Sequence, residues 1–252
     1  MLERYLVAGG LAGSYMYQDE TLRRRYLEDI YSAVLTRDLV QRYRLSGAGG
    51  VLESVSAFLL DNVGNVTSAH RLCGILNAQQ RKTNPVTIGH YLDYLCSAFL
   101  FYPQHSFDVK GSAYLKGNIK YYLADLGVRY AVQGQRNLDY GRAYENMAAL
   151  ELLRRGYQVY TGKMGVLEVD FVALQGSSRW YIQVCDNLDN PQTFEREVTS
   201  LLKIKDAYPK VVLARTAHPP YDYKRIAIVD LASYLAGKVL KEADPTLAWY
   251  QR

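Results

Sequence analysis

Cysteine is scarce in this sequence: Cys73, Cys96 and Cys185 are the three among 252 residues. They stand far apart and form no CxxC pair, which excludes a disulfide framework. The four histidines, His70, His90, His105 and His218, lack HxxxH or HExxH spacing, so a zinc site is not expected. No GxSxG elbow is present. Nor is there a GxxxxGK[ST] loop to cradle phosphates; "GGLAGS" at 9–14 has the glycines but no lysine, and it follows no strand. ATP hydrolysis by this chain is therefore not expected. No apolar run approaches the roughly 18 residues of a membrane span. The start, "MLERYLVAGGLAGSYMY", opens with an acid, Glu3, and lacks a basic stretch before a long apolar one. The expectation is a cytoplasmic protein with no signal peptide and no membrane partner.

Acids are missing from one stretch in particular. From Thr67 to Lys120 there are six basic residues (Arg71, Arg81, Lys82, Lys110, Lys116, Lys120) and two acids (Asp93, Asp108). That stretch carries most of the net charge of +5. A local cationic bias attracts polyanions, so DNA is the expected partner. With 49% hydrophobic residues the chain can bury one large core or two small ones.

Hydrophobic spacing divides the chain into three parts. Residues 1–50 are a helical segment. Within it Leu22, Tyr26, Ile30, Ala33 and Val34 recur at helical spacing from Asp19 to about Arg44, and Leu27, Leu35 and Leu39 widen the face. "SGAGG" at 46–50 ends it.

Residues 51–123 read as three helices and a β-hairpin. The first helix carries Val51, Leu52, Val55, Phe58 and Leu59. The second carries Ala69, Leu72, Cys73 and Leu76, capped by Thr67 or Ser68. The third has Asn84 as cap, Pro85 in its first turn and a stripe of Ile88, Leu92 and Leu95. Strands at Phe99–Tyr102 and Ile119–Leu123 follow. This is the order of a winged helix-turn-helix, in which the third helix reads the DNA major groove and the wing touches the backbone. The residues expected at DNA are Thr83, Asn84, Thr87 and His90 on the third helix. Arg71, Arg81, Lys82, Lys110 and Lys116 would meet phosphates.

Residues 124–252 alternate helix and strand. "RAYENMAALELLRRGY" is a helix with Met147, Leu150 and Leu153 on one side, ended by Gly156. A strand at Gln158–Thr161 precedes "EVDFVALQGSSRWYIQVC", two strands joined by a Gly-Ser-Ser turn. Period two puts Val169, Phe171, Ile182 and Val184 on a core face, with Glu168, Asp170, Gln183 and Cys185 opposite. A helix, "PQTFEREVTSLLKIKDAYP", and a buried strand, "KVVLA", come next. The α-β-β-β-α-β order is that of the restriction-endonuclease-like, or PD-(D/E)xK, fold, which makes the expected class α/β (α+β).

Taken in order, "RYLEDIYSAVLTRDLVQRY", "TIGHYLDYLCSAFLF", "YYLADLGVRYAV", "GRAYENMAALELLRRGYQVYTG", "EVDFVA", "YIQVC" and "TFEREVTSLLKIKDAYPKVVLA" resemble the C-terminal region, DUF4143, of prokaryotic AAA-type ATPases. The resemblance implies that residues 1–50 are the remnant of, or linker to, a missing ATPase module, which is lost, truncated or supplied as a partner by another chain or subunit. It also implies a nuclease-like domain in which Glu145 is the helix acid and Asp170 the central ligand. Gln183 then replaces a Glu, and Cys185 replaces the catalytic Lys. Glu145, Asp170 and Gln183 would hold Mg²⁺, the single cofactor implied. Gln brings no charge and a neutral thiol cannot act as an ammonium does, so the site reads as degenerate. Lys163 and Glu168 are the candidates for displaced replacements. The expected function is DNA binding. A divergent Mg²⁺-dependent DNA endonuclease and a protein-assembly module are the alternatives.

Overall fold

A computed structural model describes residues 2–45, 49–134, 139–216 and 218–237. The chain is of mixed α/β class and divides into two compact units: Met1–Pro103 with Asn118–Leu138, and Gln104–Gly117 with Asp139–Arg252. Among the described residues no helix is long and apolar enough to cross a membrane.

In unit 1, α1 (Leu2–Ala8) leads through a 3-10 turn (Ala12–Met16) to α2 (Glu20–Ala33). Asp19 caps α2, its carboxylate accepting the Leu22 N–H at 2.9 Å. The helix continues as a π-helical segment, Val34–Gln41. Its fully buried residues are Leu27, Leu35 and Leu39, whereas Leu22 is 50% exposed. The reason is α6 (Leu126–Gln133), absent from the sequence reading, which packs Val128 and Ala131 against Leu27. Helices α3 (Gly49–Asp61), α4 (Ala69–Ala78) and α5 (Pro85–Ser97) follow, with the short β1 (Val66–Thr67) before α4. Ser68 and Asn84 cap α4 and α5, accepting the Arg71 and Thr87 N–H groups. Each helix buries the face its spacing assigns, through Leu52, Val55 and Leu59, then Leu72 and Leu76, then Ile88, Leu92 and Leu95. Residues 46–48 of the "SGAGG" break lie outside the described residues.

The hairpin differs from expectation. Its strands are β2 (Phe101–Asp108) and β3 (Ala113–Leu123). Phe99 belongs to the turn after α5: its φ is 56°, and its N–H bonds to the Cys96 carbonyl. The sequence hides most of β2 because the strand contains Pro103 and buries Gln104 and Ser106, so no hydrophobic alternation marks it.

Asp125 sits before α6 and is buried. Its carboxylate accepts the N–H groups of Gly10, Leu11 and Gly127 at 2.7–2.8 Å, with Val128 as a fourth donor. A Cβ on Gly9 would fall 1.9 Å from Asp125 Oδ1, and one on Gly127 would fall 2.7 Å from the Gly9 nitrogen. Gly9 and Gly127 thus let two backbone segments close over one carboxylate.

Unit 2 carries α7 (Tyr140–Arg154), β4 (Gln158–Met164), β5 (Leu167–Gln175), β6 (Ser178–Cys185), α8 (Pro191–Leu202), β7 (Lys210–Ala214), β8 (Tyr221–Tyr223), β9 (Ile226–Asp230) and α9 (Leu231–Leu235). With the end of β2 these strands form a mixed sheet in the order β2-β4-β5-β6-β7-β9-β8. The β2/β4, β6/β7 and β7/β9 pairs are parallel, and β4/β5, β5/β6 and β8/β9 are antiparallel. Helix α8 seals Val198 and Leu201 onto Val172, Tyr181 and Val212. The residues of opposite parity, Phe171, Ile182, Val211 and Leu213, are equally buried, and α7 packs on β4, β5 and β6. Both sheet faces are therefore core, where one polar face was expected. Gly156, with φ 84°, ends α7 as its position predicts.

Candidate nucleic-acid interface and nuclease-like cluster

The front of α5 is built from the turn that precedes it. Asn77 on α4 accepts the Thr83 N–H at 2.9 Å and donates to the Thr83 carbonyl at 3.1 Å. Gln80 turns the chain with φ 61°. This clamp fixes the path from α4 into α5. Thr83 and Asn84 are consequently engaged: Thr83 through its backbone, and Asn84 through its cap bond to Thr87 at 2.9 Å. Arg81 donates to the Gly50 carbonyl at 2.7 Å, and Arg71 donates to the Val66 carbonyl at 3.3 Å. Lys82, Val86 and His90 stand exposed at the same end, with Thr87 half-buried between them. Further along α5, His90 leads to Tyr94, whose ring stacks on Tyr43 at 3.8 Å.

Unit 1 thus brings Arg71, Arg81, Lys82, Thr83, Asn84, Thr87 and His90 onto two neighbouring helices and their connecting turn. Lys110 belongs instead to unit 2, in the turn after β2. Lys116 lies on β3, and its side chain is outside the described residues.

In unit 2 the geometry centres on a β-bulge. Tyr160 pairs with Val172 and Gly162 with Val169, so β5 holds one residue more than β4, at Asp170–Phe171. The bulge turns Val169 toward the α8 side, apart from Phe171, which corrects the shared face expected of that pair. The regular β5/β6 pairing runs from Gln175↔Ser178 to Phe171↔Ile182. Beyond it, side chains supply the bonds. Gln183 Oε1 accepts the Asp170 N–H at 3.2 Å, and Asp170 Oδ2 accepts the Val184 N–H at 2.8 Å. Gln104 Nε2 donates to the Asp170 carbonyl at 3.0 Å and to Thr161 Oγ1 at 2.8 Å. Asp170 Oδ2 and Gln183 Oε1 thus each accept a backbone N–H that closes the sheet.

Cys185 is buried beside this bulge, and its thiol is pushed up to about 12 by burial and by the negative charges of Glu197 and Asp170. It stays a neutral thiol at ordinary pH. Lys163 and Glu168 form an ion pair with each other across β4 and β5. Glu145 is half-buried on α7. Among the described residues no three Asp, Glu, His or Cys side chains converge on a metal position. Of the expected set, Gln183 brings a neutral amide where Mg²⁺ takes hard, charged oxygens.

Two participants escape the sequence reading. Gln104 lies in a strand with no alternation. Glu197, on α8, is 5% exposed and pairs with Arg196 at 2.6 Å. Its signal is visible in "TFEREVTSLL": the acid falls beside Val198 and Leu201 on the apolar stripe of the helix.

Comparison with known proteins replaces the expected ATPase kinship. A family model described as a domain of unknown function, DUF8612, matches residues 1–139. Its last residue is the first of the second segment of unit 2. The chain is similar to an uncharacterized protein of Haemophilus influenzae, 33% identical over 222 residues, covering 88% of this chain and 54% of that protein. It is also similar to an uncharacterized protein of Methanocaldococcus jannaschii, 27% identical over 210 residues, covering 81% of this chain and 46% of that protein. The chain spans about half the length of these curated relatives. No solved structure matches it. The resemblance to DUF4143 is thereby corrected, and with it the ATPase module inferred from that resemblance: its motifs are short runs of helix and strand patterning that unrelated families share. With more than half its residues matched by the other model, the chain belongs to the DUF8612 family.

Proposed function

We propose that this chain is a DNA-binding module whose reading element is α5. The observation that carries the reading is the exposed front of α5, where Lys82 and His90 stand at one end of a helix whose entry angle is clamped by Asn77. Arg71 opens the neighbouring α4. The order α3-α4-α5 followed by the β2/β3 hairpin supports a winged helix-turn-helix, in which residues at the start of the third helix meet base edges. The order α7-β4-β5-β6-α8-β7 supports a PD-(D/E)xK-like scaffold for unit 2. Its degenerate positions serve the sheet: Asp170 and Gln183 close the bulge, and Cys185 fills core.

The test is a plasmid and linear-duplex assay with Mg²⁺ or Mn²⁺, read for both cutting and gel shift. A shift without cutting is the expected result. Metal-dependent cutting that disappears in Asp170→Ala would replace this reading with the endonuclease. The absence of any shift at low salt would leave the assembly reading.

A further inference from the structure

Unit 2 contains a cleft of about 600 Å³ that the bulge does not use. Val109, Met164, Leu167 and Ile204 form its apolar floor, and Lys110, Lys203, Lys205 and Asp206 complete the lining. The three lysines are exposed, and none has an ion-pair partner among the described residues. The lone acid is already engaged. Asp206 accepts the Tyr181 hydroxyl at 2.5 Å and lies 3.7 Å from Lys210 Nζ.

Three unpaired ammonium groups around one opening repel one another, and a ligand carrying several anionic oxygens would relieve that repulsion. A simple anion would leave the floor unused. The volume is that of a site for a small organic ligand, which lies at roughly 300–1,000 Å³. Met164 adds a polarizable thioether that makes favourable contacts with an aromatic ring. We infer that this cleft seats a nucleotide, with the phosphate on the rim formed by Lys110, Lys203 and Lys205 and the base on Met164, Leu167 and Ile204. The nucleotide is free or part of a single strand. The inference extends the nucleic-acid reading to a second site, and it stands on residues separate from α5.

The full chain is titrated at low salt with labelled oligothymidylate, with thymidine monophosphate and inorganic phosphate as competitors. Thymidine monophosphate binding is also measured directly by calorimetry. The oligonucleotide is expected to bind, and thymidine monophosphate to compete well ahead of inorganic phosphate. Lys203→Ala/Lys205→Ala should weaken the oligonucleotide by about tenfold or more and reduce its salt slope by about 1.4, at about 0.7 per phosphate contact on a single strand. Thermal melting should not change, because both lysines are exposed. Arg71→Ala/Lys82→Ala should leave thymidine monophosphate binding intact. No calorimetric binding of thymidine monophosphate, equal competition by inorganic phosphate, or full affinity in the Lys203/Lys205 variant would each overturn the inference. Nucleotide binding in a chain that ignores duplex DNA would uphold the cleft and defeat the α5 reading.

Discussion

Asp125 shows how much one side chain can hold. Its carboxylate satisfies N–H groups from two segments more than 110 residues apart in sequence. Burial holds its pKa above the ordinary value, against the opposing pull of the four N–H groups. Asp125→Ala strands those donors, and each buried unsatisfied group costs about 1–3 kcal/mol. The variant should lose at least about 3 kcal/mol, read as a fall in the midpoint of denaturant unfolding. An unchanged midpoint would mean that the latch is not part of the folding unit. Glu151 offers a pH test. Burial pushes its carboxyl up, but hydrogen bonds and charge from Arg154 and Arg155 hold it below the ordinary glutamate value of 4.5. Arg155 also donates to the Tyr234 carbonyl, tying α7 to α9. Because the folded pKa is depressed, the stability Glu151 contributes is present above about pH 4.5 and is lost as pH falls through the lower folded value. Melting curves from neutral to acid pH should therefore show a shallower decline in Glu151→Gln than in the parent. Parallel declines would remove Glu151 from the account.

At the scale of elements, α5 carries a glycine that its own packing does not require. A Cβ on Gly89 would meet nothing within 4 Å. Glycine inside a helix costs about 1 kcal/mol relative to alanine, so Gly89→Ala should raise stability by about that amount. If α5 lies against DNA, the same change should lower DNA affinity by intruding on a close backbone approach. A gain in stability with undiminished affinity would argue against contact at that face. Helices α2, α4 and α5 were legible because Asp19, Ser68 and Asn84 announce their starts and their apolar residues keep a 3.6-residue period. The bulge was not legible. A one-residue excess in β5 shows only when its register against β4 is known, and Gln104, which bonds the Asp170 carbonyl, comes from a strand whose buried residues are polar. Gly162 carries a trace of it: a Cβ there would meet Val172 Cγ2 at 2.9 Å, so that β4 position must be glycine for the strands to close. Asp170 and Gln183 could be named from sequence, but what their oxygens bond to could not.

For the whole molecule, the matched family stretch contains all of unit 1, and the chain covers 54% and 46% of the two relatives. Charge concentrated between Thr67 and Lys120 is the one feature of composition that points to a partner; the fold puts Arg71, Arg81 and Lys82 at the α4–α5 front, Lys110 in the turn after β2, and Lys116 and the buried Lys120 on β3. The claim that α5 meets DNA is tested most directly by duplex affinity across a salt series, for the parent chain and for Arg71→Ala/Lys82→Ala. The expected result is affinity that falls linearly on log–log axes, with a slope shallower by about 1.8 in the variant, at about 0.9 per phosphate contact. Absence of duplex binding at low salt, or identical affinity and slope in the two proteins, would contradict it.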